Sequence, residues 1–226
     1  MRRFLAALLI AAALLPMTAQ ADLYDSTLIL VNKQNSLPKN YEPKDLSHPD
    51  VAYADYVPED RRQMRAEAAR ALEAMFGAAL EDGVALLGIS GYRSYWVQHG
   101  IYYTRLEESG LEYVSLYVAM PGQSEHQTGL AMDVGSEDCP FLSTDFVYTD
   151  AYAWLNAHAH EYGFIIRYTE DGTAETGYAF EPWHIRYVGD LAPELWARGI
   201  TLEAWYREAL SGLRLMRTRH FAMLER

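Results

Sequence analysis

An α+β fold with a small, mainly antiparallel sheet flanked by helices is what this chain of 226 residues predicts. Three observations lead there. Segments of helical period are grouped before and between a few short runs rich in β-branched and aromatic residues. Those runs are bounded by turn residues. No internal repeat, low-complexity tract or linker divides the chain, so one domain is expected.

Residues 22–57 lack sustained helical periodicity and contain Pro38, Pro43 and Pro49, which describes an extended arm lying on the domain. From Glu59 to Leu80, Met64, Ala68, Leu72, Met75 and Phe76 recur near helical spacing, with Pro58 ahead of the start and Glu59 and Asp60 in the first turn. Val84–Ser90 is a compact apolar run between Gly83 and Gly91 and reads as a buried strand. Tyr95–Leu106 reads as a second helix, whereas Leu111–Gln123 fits either helix or strand. Leu130–Val134 is short and mostly apolar, a buried strand that would carry Asp133 on one face. A third helix over Ala151–Tyr162 closes at Gly163. Strands follow at Phe164–Tyr168 and Trp183–Val188, separated by a loop with a turn signal at Asp171-Gly172, and helices at Pro193–Arg198 and Leu202–Leu210 finish the fold.

The first residues predict export. Arg2 and Arg3 precede an apolar run from Phe4 to Leu15, and Ala19-Gln20-Ala21 satisfies the small-residue rule for signal-peptide cleavage. Residues 1–21 are therefore expected to be a cleaved leader, with residues 22–226 forming one domain outside the cytoplasm, periplasmic or extracellular. The apolar run is too short to span a bilayer comfortably, so no stable membrane span is expected after cleavage. Without Arg2 and Arg3, seventeen basic side chains face thirty-one acidic ones, a formal net charge of −14. That surface argues against nucleic acid and anionic lipid as partners. Cys139 is the single cysteine, which excludes an internal disulfide.

The segment Ser124-Glu125-His126-Gln127-Thr128-Gly129-Leu130-Ala131-Met132-Asp133 and the later Glu181-Pro182-Trp183-His184 carry the chemistry. Two imidazoles and a carboxylate, His126, Asp133 and His184, match the three protein ligands of a catalytic zinc with an open fourth position. Glu181 supplies a further carboxylate, able to take a proton from an attacking water. Residues three apart on a strand point to opposite faces, so Glu181 and His184 converge only if the chain bends or bulges near Pro182. His158 and His160, two apart on a predicted helix, cannot share a face as metal ligands. His99 and His220 lack partners at ligand spacing. Trp183 and Tyr187 read first as core residues. Arg214, Arg217 and Arg219 read as a solvated helix face.

Taken together, these segments resemble the zinc D-alanyl-D-alanine carboxypeptidases of the VanY type, a family that includes L,D-carboxypeptidases acting on cell-wall stem peptides. The resemblance extends to Ser90-Gly91-Tyr92-Arg93-Ser94, Gln98 and Pro121-Gly122, and upstream to Leu30-Val31-Asn32-Lys33, Leu37-Pro38 and Tyr41-x-Pro43-x-Asp45-Leu46. Met120 departs from it, standing where many relatives carry a basic or polar residue. The resemblance implies a hedgehog/D,D-peptidase-like fold. It implies Zn2+ held by His126, Asp133 and His184, and Glu181 as general base. Arg93 is implied as a catalytic and substrate-binding residue, with Gln98 and Ser124 as substrate-binding neighbours. The implied activity removes a C-terminal D-alanine from peptidoglycan stem peptides, D,D- or L,D-specific, by Glu-assisted attack of water at zinc. An endopeptidase that cuts peptidoglycan crosslinks, and a non-catalytic zinc- or wall-binding module of the same fold, are the alternatives.

Overall fold

The computed structural model of the chain describes Tyr24 and residues 26–211. The leader expected over 1–21, the basic side chains Arg214, Arg217 and Arg219, and His220 lie outside them.

Six strands and six helices organise the described residues. Strands β1 (Leu46–Ser47) and β2 (Met64–Arg65) pair as a short antiparallel ribbon. Helix α1 (Ala66–Glu81) follows, then β3 (Leu87–Ser90) and α2 (Tyr95–Tyr117). Next come β4 (Ala131–Gly135), α3 (Asp150–His158), β5 (Phe164–Tyr168), the single-turn α4 (Thr173–Thr176) and β6 (Glu181–Tyr187). Helix α5 (Ala192–Arg198) precedes α6 over 202–211. The main sheet has the order β3-β4-β6-β5, with every neighbouring pair antiparallel. The mixed helix-and-strand, single-domain architecture with small antiparallel sheets is thus present.

The sheet alternates as a two-faced layer must. One face presents Met132, Val134, Phe164, Ile185 and Tyr187 to Ala68, Leu72, Met75 and Phe76 of α1 in the main core. Pairing in register, Ala131 with Arg186, Ile165 with Arg186 and Asp133 with His184, puts Asp133, His184 and Arg186 on the opposite face. There a second cluster of Val188, Leu191, Leu195, Leu202, Trp205 and Tyr206 packs with Leu28 and Leu30 of the arm and Ile165. The functional side chains therefore project from a sheet buried on both sides.

Several segments differ from the sequence expectation. The helix expected from Glu59 to Leu80 is a 3-10 turn at Glu59–Arg61, then β2, and only then α1. Pairing of β2 with β1 in the arm takes Met64 and Arg65 out of the helix, and Met64 is fully buried there. The strand expected over Val84–Ser90 is confined to β3, and the third helix ends as a 3-10 turn at Ala159–Tyr162 before Gly163. Leu111–Gln123 is helical up to Tyr117, joined to the preceding helix across Gly110, whose φ of 78° breaks the helical path. Asp171-Gly172 sits in a 3-10 turn that runs into α4.

Candidate metal centre and cleft

His126 lies on a 3-10 turn, Glu125–Thr128, all four of whose residues are buried. Gly129 closes that turn in the left-handed region at φ 68°, a conformation that glycine adopts without a Cβ penalty. The chain then runs directly into β4, bringing Asp133 opposite its register partner His184 on β6. A carbonyl oxygen only accepts, so the 2.7 Å contact between His126 Nδ1 and the Gly91 carbonyl puts the ring proton on Nδ1. Its Nε2 is left with a lone pair 3.3 Å from Asp133 Oδ2. His184 Nδ1 stands 3.0 Å from Asp133 Oδ1. One ligand atom from each of these three residues lies within 4.8 Å of the other two, and this is the one such metal-ligating group among the described residues.

The donor set fits zinc. Two imidazole nitrogens and a carboxylate oxygen converge, each residue nearly inaccessible, and His126 Nε2 has no hydrogen-bond partner among the described residues. Burial opposes charge on Asp133, yet the His126 and His184 rings hold its carboxyl well below the ordinary carboxylate range. Burial together with the Arg93 guanidinium lowers the His126 pKa to about 4. At His184 burial acts downward but is outweighed by the Asp133 and Glu125 carboxylates, which push it up to about 9.

Glu181 meets the structural demand set by strand geometry. Along β5 and β6, Ile166 pairs with Ile185 but Tyr168 pairs with Glu181, so between these pairs one residue of β5 opposes three of β6. This bulge around Pro182 and Trp183 turns Glu181 to the side of His184 that faces Asp133, with Glu181 Oε2 3.9 Å from His184 Nδ1. Burial raises the Glu181 pKa to about 7, with His184 acting in the opposite sense.

Arg93, Gln98 and Ser124 line the same open cleft of about 600 Å³ as His126, Asp133, His184 and Glu181. Arg93 Nη2 is 3.4 Å from Asp133 Oδ2, and its Nε is buried without a partner among the described residues. Gln98 donates from Nε2 to the Ala119 carbonyl at 2.8 Å, while its Oε1 is buried and unpartnered. Ser124 is buried at the start of the His126 turn. Trp183 lines the cleft, whereas Tyr187 lies in the main core. His158 approaches Glu161 at 3.2 Å, His160 stacks on Trp196, and His99 packs between Trp96 and Tyr103.

Glu125 is the residue that sequence reasoning passed over. It is 1% exposed and accepts from Arg167 Nε at 2.8 Å and from Arg186 Nη1 at 2.7 Å, both through Oε1. Its Oε2 faces His184 Nε2 at 3.5 Å. Despite burial, Arg167 and Arg186 hold its carboxyl far below the usual range. A signal was present: two largely apolar strands, Phe164-Ile-Ile-Arg167-Tyr and Trp183-His-Ile-Arg186-Tyr, each carry one arginine that needs a buried partner.

The model of the VanY D-alanyl-D-alanine carboxypeptidase family matches residues 61–190, a span that contains every site residue above. A bifunctional D-Ala-D-Ala dipeptidase and D-Ala-D-Ala carboxypeptidase, VanXYC of Enterococcus gallinarum, is 36% identical over 201 residues, covering 87% of this chain and 100% of its own. A solved structure of the LD-carboxypeptidase LdcB is 44% identical, with a TM-score of 0.78 over 83% of this chain and 88% of that one. A variant of the vancomycin-resistance D,D-pentapeptidase VanY, solved in complex with Zn(II), is 32% identical with a TM-score of 0.65, over 79% of this chain and 98% of that one. With the family model spanning more than half its length and relatives matched over most of theirs, the chain belongs to the VanY D-alanyl-D-alanine carboxypeptidase family and is a metallopeptidase.

Proposed function

We propose that the protein removes a C-terminal D-alanine from peptidoglycan stem peptides outside the cytoplasm, with Zn2+ held by His126, Asp133 and His184. The observation that carries this reading is the position of Glu181, a buried carboxylate 3.9 Å from His184 Nδ1 and turned toward the ligand set by the bulge in β6. Relatives named as D-Ala-D-Ala and LD-carboxypeptidases support the substrate class.

A bound zinc ion would supply a Lewis acid that polarises a carbonyl and makes water more acidic. The remaining work falls to side chains. Arg93, on the cleft wall, is suited to the substrate's terminal carboxylate or to negative charge developing on the scissile carbonyl oxygen, since its fork donates two parallel hydrogen bonds. Gln98 Oε1 and Ser124 face the cleft as further polar partners. Glu181 takes a proton from the attacking water at a carboxylate oxygen. It then gives that proton to the departing amine nitrogen as the peptide C–N bond breaks. Water is consumed, and free D-alanine and a peptide shortened by one residue leave. A carboxylate whose pKa is raised toward neutrality suits both halves of that transfer.

The test is a substrate panel with zinc supplied: muropeptides ending in D-Ala-D-Ala, tetrapeptides whose terminal D-Ala follows an L-centre, and crosslinked dimers. Release of D-alanine from either linear substrate is expected, and which one reacts sets D,D- or L,D-specificity. Cleavage of the dimers alone would make the protein an endopeptidase, and no cleavage at all would sink the enzymatic reading. Export rests on residues 1–21, so protein recovered outside the cytoplasm should begin near Asp22. Among the described residues, no helix is long and apolar enough to cross a membrane.

A further inference from the structure

Two acids and two arginines are interlocked beneath the metal ligands. Glu125 Oε1 accepts from Arg167 and Arg186, and the Arg167 guanidinium continues to Glu203 of α6 through bonds of 2.9 and 2.7 Å. Arg186 Nη2 also donates to the Thr27 and Ile29 carbonyls of the arm, at 3.0 and 2.8 Å. Asn32 of the arm donates to Glu203 at 3.0 Å. A buried assembly of this kind is costly to desolvate and would often be exchangeable for apolar residues, so stability alone is a weak reason for it. It ends, however, at a metal ligand. Glu125 Oε2 and His184 Nε2 are both buried, have no hydrogen-bond partner among the described residues, and face each other at 3.5 Å. Nearly all buried polar atoms in folded proteins are paired, and across 3.5 Å these two are placed to be each other's partner.

We propose that Glu125 is a positioning residue: its carboxylate, oriented by Arg167 and Arg186, accepts the Nε2 proton of His184 and thereby keeps the Nδ1 lone pair for the metal. Metal-bound imidazoles commonly donate their other nitrogen to a carboxylate in this way, which fixes both ring orientation and tautomer. The two arginines decide the geometry. Both donate to Oε1, so the second carboxylate oxygen is the one left for His184. Through Glu203 and Asn32 the same chain of contacts links the ring to α6 and the arm.

The inference rests on the metal reading above, and Glu125→Gln separates the two. In that variant the amide oxygen is claimed by Arg167 and Arg186, and the amide NH2 is turned to His184 Nε2, donor against donor. The ring is then driven to carry its proton on Nδ1, the nitrogen that faces Asp133. Competition with a chromophoric chelator should show zinc bound at least ~10-fold more weakly by E125Q than by the natural protein. The urea midpoint of each zinc-free protein, measured alongside, separates loss of fold from loss of affinity. Should E125Q not fold, 1H–15N correlation of the His184 ring in the zinc-loaded natural protein decides. A slowly exchanging proton on Nε2 is expected, and a proton on Nδ1 with Nε2 on the metal overturns the proposal. Zinc bound equally well by natural protein and folded E125Q also overturns it. A natural protein that takes up no zinc overturns the metal reading and this inference with it.

Discussion

At the scale of single residues, the proposed function assigns His126, Asp133 and His184 to holding a metal and Glu181 to moving a proton. Glu181→Gln keeps the size of the side chain but removes its basicity, and general acid–base catalysis contributes about 10² to 10⁴ in rate. The expected outcome is a fall of that order in kcat with zinc stoichiometry unchanged, read by metal analysis after dialysis beside the D-alanine assay. Asp133→Asn should behave in the opposite way. Asp133 carries the negative charge between the two rings, 3.3 Å from His126 Nε2 and 3.0 Å from His184 Nδ1, so its loss should leave the dialysed protein without stoichiometric zinc. A variant E181Q that lost its metal, or a variant D133N that kept it, would reverse the assignment of the two carboxylates. Motif spacing made His126, Asp133, His184 and Glu181 visible, because each is of a residue type that chemistry requires. Glu125 escaped because its partners Arg167 and Arg186 lie 42 and 61 residues away in the chain.

At the scale of elements, two glycines with positive φ test what positions the motif side chains. Gly129 at φ 68° ends the His126 turn, and a Cβ there would meet Arg65 Cγ and Leu46 Cδ2 at 3.0 Å and the Arg65 amide nitrogen at 3.3 Å. Gly129→Ala is expected to destabilise the protein by about 1–3 kcal/mol and to weaken zinc binding as His126 shifts. Gly110, at φ 78° between the two parts of α2, has nothing within 4 Å of a built Cβ. Gly110→Ala should therefore cost only the backbone penalty of φ 78° with ψ 170°, about 1–3 kcal/mol, and leave zinc affinity alone. Urea midpoints and chelator competition on both variants check the contrast. Strand positions were readable from their β-branched and aromatic runs, but the bulge that turns Glu181 toward the metal side was readable only as a requirement. Its register depends on how β5 happens to oppose β6, which no local pattern specifies.

For the whole molecule, burial of tyrosines sets an alkaline limit. Burial pushes Tyr92 and Tyr187 up to about 12 from an ordinary value of 10, with Glu42 adding to the shift at Tyr92 and the hydrogen-bonded Glu67 at Tyr187. Tyr53, Tyr178 and Tyr206 are raised further, again by burial. A pKa raised by folding stabilises the protein fully below the unfolded value and loses that contribution as pH rises through the folded one. The urea midpoint should accordingly fall between pH 10 and 12, together with the appearance of tyrosinate absorbance. Stability unchanged across that window would show that these phenols ionise freely in the folded state. Composition, periodicity and motif spacing by themselves determined an α+β class, one domain, most of the helices and the two separate motif segments, because each of these is carried by residue types within a few positions of one another. Only the tertiary structure decided that Met64 and Arg65 leave the helix for a strand, that β6 bulges at Pro182, and that Glu125 sits between two buried arginines beside His184. Those outcomes follow from pairing and desolvation between distant segments, where a charge removed from water must find its partner wherever the fold places it.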